Sequence, residues 1–190
     1  MGRGRKFSTS ELFDTTERVL LTVGYEGFTI GLLAENLGIS RAAIYKYYMN
    51  KEALIVDFMI ERMTVLIDDL QKIDDEAPFL QQLDELLHVI FQSKDLHQIL
   101  GYSHFINDRG DKDIAGKLQQ LLHLHHAMYS PMQQMVEQGK VQGILSEEIP
   151  SELILGFIFQ SISIPNHSNI EKVVFLSSIK QMMFHGIIQK

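Results

Sequence analysis

The chain has 190 residues, 45% of them hydrophobic, which is enough to build one large domain or a small head with a larger body. It contains no cysteine, which excludes disulfides, thiol catalysis and cysteine-bound metal, and its formal net charge is −7. No run approaches the roughly 18 apolar residues that cross a bilayer, and MGRGRKF lacks the apolar part of a secretion signal, so we expect a cytoplasmic protein.

The charge is unevenly distributed along the chain. Residues 1–51 contain seven basic and five acidic side chains, a balance of +2, so residues 52–190 carry −9. A basic end on an acidic body is typical of a protein that binds a polyanion with one end and keeps the other end away from it.

The N-terminal segment combines a basic arm with a well-marked first helix. The arm either follows a nucleic-acid backbone into a minor groove or is a solvated terminus. Ser8 and Glu11 have the spacing of a capping box, and Gly24 is expected to end the helix that they start. The arm's basic residues are Arg3, Arg5 and Lys6.

Two short helices separated by a glycine turn are predicted next. Thr29 can cap the second helix, and Gly38 can supply the left-handed residue that ends it. Ser40 can then cap a third helix, predicted over Arg41–Tyr48. Helix, glycine turn and helix together make the DNA-reading unit of helix-turn-helix proteins.

The third helix has the side chains that such a unit needs. Arg41 is at its N-terminus, where it can reach base edges, and the small Ala42 and Ala43 let the backbone approach a groove. Asn50 is expected to cap a fourth helix whose first residue, Lys51, lies where an anion is favoured. The predicted DNA contacts are Thr29, Ser40, Arg41, Ala42, Ala43, Tyr45, Lys46, Tyr47 and Lys51.

These residues resemble the DNA-binding signature of the tetracycline-repressor (TetR) family of transcriptional regulators. The resemblance is carried by Thr29, Ala34, LGIS at 37–40, the pairs at 44–45 and 47–48, and NKEAL at 50–54. Two positions depart from it: Gly31 stands where many members carry a polar or basic side chain that reaches DNA, and Ala42 replaces a common glycine. The resemblance implies an all-α fold of about nine helices, with a three-helix DNA-binding domain over 1–52 and an effector-binding and dimerisation domain over 53–190.

Helical periodicity continues through the rest of the chain. Pro78 should stand at a helix start, Asp95 should cap a further helix, and Pro131 should kink or divide a long one. The predicted helices are Lys51 to about Ile73, one from Phe79, one from Asp95 to about Phe105, Lys112–Gln138, Ser151–Ile164, and about Ser168 to Ile188.

The last two helices have apolar residues on more than one face. Such helices are either interior helices of a monomer or are buried by their own domain on one side and by a second subunit on the other. A two-fold DNA site favours the dimer, and the family resemblance implies the same. The predicted interface residues are Phe159, Ile162, Phe175, Ile179, Met182 and Met183.

The body is expected to bind an effector. Its aromatic, methionine and polar residues either are ordinary core or surround an apolar cavity with a few orienting groups, and the resemblance implies a small hydrophobic ligand. His123 and His126 lie one helical turn apart but lack a third ligand nearby, so we predict no metal. The candidate effector residues are Phe91, Tyr102, His104, Phe105, His126, Tyr129, Met132, Phe157 and Gln160.

No catalytic motif is recognisable: there is no G-x-S-x-G, glycine-rich phosphate loop or H-E-x-x-H, so we predict neither an enzyme nor a cofactor. The sequence favours a bacterial homodimeric repressor that a small molecule releases from a double-stranded operator. The alternative is a helical ligand-binding or protein-interaction module whose head reads DNA weakly or not at all.

Overall fold

The computed structural model describes residues 7–187, without the side chains of residues 184, 186 and 187. The predicted basic arm, Arg3, Arg5 and Lys6, lies outside this range. All elements in the described part are helical, as predicted, and none of these helices is long and apolar enough to cross a membrane. They are α1 (Thr9–Gly27), α2 (Ile30–Asn36), α3 (Arg41–Ile44), α4 (Lys51–Leu70), α5 (Phe79–Gln92), α6 (Lys94–Leu100), the 3₁₀ turn η1 (Gly101–Phe105), α7 (Lys112–Val141), α8 (Ser151–Ser161) and α9 (Lys172–Ile187).

The helices form two compact units. The first unit contains the chain up to Val65 together with Asp95–His125, and the second contains Leu66–Lys94 and the residues from His126 onward. Helices α4 and α7 each continue from one unit into the other. The predicted domain boundary after residue 52 falls within α4, and the residues on both sides of it belong to the first unit. The division into a DNA-binding and an effector-binding domain at that point stays a prediction.

Local capping signals explain where several helices begin. The Ser8 hydroxyl accepts a hydrogen bond from the Glu11 N–H at 3.0 Å, and the Glu11 carboxylate accepts one from the Ser8 N–H at 2.8 Å, which is the predicted capping box. Thr29 and Asn50 each accept a bond from the backbone N–H three residues later, at 3.1 and 2.8 Å. Pro78 precedes α5 as predicted. Each side-chain cap contributes about 1 kcal/mol to helix stability.

Several predicted helix boundaries differ from those of the structure. The helix from Arg41 ends at Ile44 and not at Tyr48, and residues 45–47 form a turn. Asp95 lies in the first turn of α6 and does not precede it. The α6 helix gives way to the 3₁₀ turn η1 at Gly101, and α9 begins at Lys172, four residues later than predicted.

Two predicted helix breakers lie inside helices of the structure. Gly24 has φ 68° and interrupts the helical backbone of α1, as predicted, with three more residues of α1 beyond this kink. Pro131 lies inside α7, which continues as one helix to Val141 and is not divided. A proline removes one backbone hydrogen bond, and the buried side chains of Met128, Met132 and Val136 around Pro131 stabilise the helix against that loss.

The core of the first unit combines the three N-terminal helices with α4. Phe28, Leu33 and Ile44 are fully buried, as are Leu54 and Phe58 of α4. Complete burial of such side chains contributes about 1.5–3 kcal/mol each. As the small size of the head suggests, its core needs the fourth helix.

The second unit packs α5, α7, α8 and α9. Leu83 of α5 and Ile158 of α8 are fully buried, and a Cβ at Gly139 of α7 would lie 2.8 Å from the Phe79 ring, so close packing there requires glycine. The Lys180 ammonium of α9 lies 2.5 Å from the Asp84 carboxylate of α5.

Candidate nucleic-acid interface

A glycine turn sets the angle between α2 and α3. Gly38 has φ 64°, which a residue with a side chain rarely adopts, and its N–H donates to the Glu35 carbonyl at 3.1 Å. The Ile39 N–H donates to the Ala34 carbonyl at 3.0 Å, which closes the end of α2. The chain then leads directly into α3, and its last residue, Ile44, is fully buried. The predicted turn is therefore present, and it fixes the direction of α3.

The surface of α3 and of the turn after it is exposed and polar. Arg41, Ala42 and Lys46 are exposed, and about half of the surfaces of Tyr45 and Tyr47 is accessible, at 52% and 50%. These residues offer cations and hydroxyls beside a small residue, which suits phosphate oxygens and base edges in a groove. The structure thus brings most of the predicted DNA contacts to one short segment.

Three predicted contact residues have different surroundings. The Thr29 hydroxyl is used as the cap of α2. Ser40 occupies the N-cap position of α3, but its side chain makes no capping hydrogen bond. Ala43 is partly buried. A DNA contact for these residues stays a prediction.

Phe7 packs against the turn that follows α3. Its side chain is almost fully buried, and its ring lies edge-on to the Tyr47 ring with 5.8 Å between centroids. An edge-to-face aromatic pair contributes about 0.5–1.5 kcal/mol beyond its buried area. We did not predict this contact, because Phe7 precedes the capping signal of α1 and nothing in the sequence pairs it with residue 47.

Lys51 binds the end of α1. Its ammonium donates to the Tyr25 carbonyl at 2.9 Å, lies 3.4 Å from the Phe28 carbonyl, and sits 4.3 Å from the centroid of the Tyr25 ring. Carbonyls at a helix end attract a cation, and an aromatic face adds to the attraction. The phosphate contact predicted for Lys51 stays a prediction, and the structural role was missed.

The end of α1 also contacts η1. The Tyr25 ring stacks on the Phe105 ring at 6.1 Å and lies 6.5 Å from the Tyr102 ring. The His104 and Phe105 rings are 4.0 Å apart. Burial raises the pKa of Tyr25. Three residues predicted to bind the effector therefore form an aromatic cluster with a helix of the DNA-binding segment.

The other predicted effector residues belong to the second unit. Tyr129 stacks on Phe159 with 5.1 Å between ring centroids, burial raises its pKa, and Met132 one turn further along α7 is buried. A groove of about 570 Å³ elsewhere in this unit is lined mainly by polar residues of α4, α5 and α9 and by none of the predicted ones. The predicted residues in this unit are Phe91, His126, Tyr129, Met132, Phe157 and Gln160.

Most of the predicted dimer residues are buried within the protomer. Phe159, Ile162, Ile179 and Met183 are buried in the core of the second unit, and Phe175 is partly buried. Met182 is exposed. Other exposed apolar residues of α8 and α9 were not predicted to belong to the dimer interface. These are Leu153, Phe157, Val173 and Val174.

No metal site is visible in the described part of the chain. It contains no group of three or more histidine, aspartate or glutamate side chains that could hold an ion. His123 and His126 are both exposed on α7.

The fold and this segment define a helix-turn-helix DNA-binding protein. Residues 12–57 match the family model described as bacterial regulatory proteins, tetR family. The N-terminal part of the chain is thus similar to the DNA-binding region of the TetR family of transcriptional regulators, and the whole described chain has the all-helical fold of solved TetR-family proteins.

Similar proteins span the whole chain. The fatty acid metabolism regulator protein of Bacillus subtilis is 18% identical over 186 residues, which are 95% of each chain. A solved tetR-family regulatory protein from Rhodococcus RHA1 has a TM-score of 0.75 at 12% identity over 100% of both chains. The fatty acid degradation regulator FadR from Bacillus halodurans has a TM-score of 0.66 at 16% identity, over 98% of this chain and 97% of that one. At these identities the structures establish the fold.

Proposed function

We propose that the protein is a cytoplasmic, homodimeric repressor that a small hydrophobic molecule releases from its operator. The observation that carries the proposal is the double contact of Tyr25. Its carbonyl and ring bind Lys51 of α4, and its ring stacks on Phe105 of η1. The end of α1 therefore contacts both α4 and η1, the two elements through which we propose that effector binding acts on the DNA-binding segment.

Ion pairs support the same coupling inside the first unit. Arg62 of α4 pairs with Asp14 and lies 3.2 Å from the Glu17 carboxylate, both on α1. The hydrogen bond from Arg62 lowers the pKa of Asp14, whereas burial raises the pKa of Glu17 despite the same partner. Lys117 of α7 lies 2.9 Å from the Asp57 carboxylate of α4. A shift of α4 would therefore act on α1 directly, and a shift of α7 would act on it through α4.

A ligand can use this coupling only through its differential affinity for two states. If it binds better when α4 and η1 hold the recognition segments at another spacing, DNA affinity falls by the same coupling free energy, typically about 1–3 kcal/mol. Two copies of α3 must lie about 34–36 Å apart to enter successive major grooves.

The nature of the effector is suggested by the candidate residues and by the relatives. The candidates are mainly aromatic, with a few polar groups that can orient a ligand. Two of the similar proteins are described as regulators of fatty acid metabolism or degradation. We therefore propose a hydrophobic carboxylic acid or its ester or thioester as the effector class.

The dimer is proposed to form through the exposed apolar face of α8 and α9. Leu153 and Val173 are 64% and 70% accessible, and Phe157, Val174 and Met182 are also exposed. Exposed apolar residues on two packed helices are characteristic of subunit interfaces. This surface replaces the largely buried set predicted from the sequence.

Titration of fluorescent duplexes tests the operator part of the proposal. The protein should bind DNA from the region upstream of its own gene more tightly than a scrambled duplex, with a steep dependence on salt. Arg41→Ala should reduce the preference between the duplexes by about 1–3 kcal/mol, whereas Lys46→Ala should weaken both equally and reduce the salt slope by about one. If neither substitution changes binding, the helical interaction module becomes the better description.

The effector part needs a separate measurement. Long-chain fatty acids, their thioesters and a short-chain acid are added to the preformed complex, and release of the labelled duplex is followed. Only the long-chain compounds should release the DNA. Release by none of them, from a protein that binds its operator, would contradict the proposed ligand class and leave operator binding intact.

A further inference from the structure

Arg41 lies directly over the backbone of Gly31. A Cβ added at Gly31 would lie 2.9 Å from each of three guanidinium atoms of Arg41, namely Cζ, Nε and Nη2. Equal distances to three atoms of the plane mean that the guanidinium lies flat across this part of α2. Any side chain at position 31 would therefore displace it.

The guanidinium is otherwise available to a ligand. Arg41 is exposed, and within residues 7–187 its guanidinium makes no ion pair or hydrogen bond. Its planar fork can donate two parallel hydrogen bonds to one acceptor edge. A fork that lies against a helix backbone has fewer positions available than one surrounded by solvent, so it loses less freedom on binding.

We propose that Gly31 is a specificity-determining residue of the DNA-binding segment, because the absence of a side chain there leaves room for the Arg41 guanidinium to lie over α2, the position from which it reads a guanine in the major groove. The guanine edge presents two acceptors, O6 and N7, at a spacing that fits the guanidinium fork. Gly31 itself makes no base contact. It acts as a positioning residue for Arg41, and the inference rests on the proposed operator binding.

Gly31→Ala separates this role from an effect on folding. The residue lies in α2 without a left-handed backbone, so alanine is compatible with the conformation and favours a helix more than glycine does. The variant should unfold at the same temperature as the wild type or higher. We expect its affinity for the operator to fall about 3- to 30-fold, with nearly unchanged affinity for a scrambled duplex.

A double-mutant cycle with Arg41→Ala is the decisive measurement. If Gly31 acts through Arg41, Gly31→Ala should change operator affinity less than twofold once the arginine is absent. Gly116→Ala is the matched control, because a Cβ at this glycine of α7 in the same unit meets nothing within 4 Å. It should leave affinity and preference unchanged.

The outcomes distinguish the two proposals. The role of Gly31 alone would be overturned if the wild type preferred the operator and Gly31→Ala had the same preference. It would also be overturned if Gly31→Ala reduced operator affinity equally with and without Arg41. A wild type that binds operator and scrambled DNA equally would overturn operator reading and, with it, this inference. Selection of bound sequences should also show a guanine in the wild-type site that becomes variable in both single variants.

Discussion

Lys51 connects two helices through a single ammonium group. It bonds to the Tyr25 and Phe28 carbonyls and covers the Tyr25 ring, so it satisfies carbonyl groups left free at the end of α1. Hydrogen bonds that involve a charged group contribute about 1.5–3 kcal/mol, more than neutral ones. The same residue was predicted from sequence as a phosphate contact. Its effect on stability should therefore be separable from its effect on DNA.

Lys51→Met should destabilise the first unit by about 1–3 kcal/mol, since it keeps the apolar stem but removes the donor and the charge. Urea denaturation followed by circular dichroism measures this change. Lys46→Met is the control, because Lys46 is exposed and should not alter the denaturation midpoint. Equal midpoints for all three proteins would mean that the bonds of Lys51 contribute nothing measurable.

Residues whose role depends on their sequence neighbours could be predicted. Gly38 and the caps Ser8, Thr29 and Asn50 act within four residues, so the local sequence contains the whole interaction. The partners of Lys51 lie 23 and 26 residues away, and Arg41 meets Gly31 across the turn. Such contacts depend on packing angles that one sequence does not specify, which is why they were missed.

At the scale of elements, α6 contains a histidine that makes the stability of the folded protein depend on pH. Burial lowers the pKa of His97, so its neutral form is favoured in the folded protein. The unfolded chain binds the proton at the ordinary pKa of about 6.5. The stabilisation is therefore present above that pH and is lost as the pH falls through the lower pKa of the folded state.

His97→Gln should reduce the dependence of stability on pH. Between about pH 7.5 and 5.5 the wild type should lose thermal stability more steeply than the variant, which cannot be protonated there. Thermal melts at several pH values give the two slopes. His123→Gln removes an exposed histidine of α7 in the same unit and should keep the wild-type slope. Parallel slopes for wild type and His97→Gln would contradict the prediction.

The contact between α1 and η1 predicts a local effect of Phe105. Its side chain is 52% accessible, so Phe105→Ala should cost only about 0.5–1.5 kcal/mol, mostly from the lost stack on Tyr25. The end of α1 should then exchange its amide hydrogens faster, as measured by mass spectrometry. Leu122→Ala, at an exposed apolar residue of α7 in the same unit, should leave α1 unchanged. Unaltered exchange in both variants would exclude this coupling route.

At the scale of the whole molecule, the sequence predicted which segments are helical better than it predicted which faces of those helices are buried. Periodicity indicated α8 and α9, but both are apolar on several faces, so the pattern could not distinguish the buried face from the exposed one. Phe159 and Ile179 turned out to be core residues, and Leu153 and Val173 are on the surface. The effector residues were similarly ambiguous, since aromatic and methionine side chains fill cores as well as cavities.

The exposed face of α8 and α9 makes the dimer testable. Leu153→Asp with Val173→Asp should convert the protein to a monomer, because burying two carboxylates at an apolar interface costs far more than the interface gains there. Sedimentation measures the mass, and duplexes with one or two half-sites measure the consequence. The monomer should lose the tighter binding to the paired site while retaining single half-site affinity.

Val141→Asp replaces another apolar side chain of the second unit, 87% accessible at the end of α7, and should change neither property. A double variant that sediments as a dimer would mean that another surface joins the subunits, and the apolar face would then require a different partner.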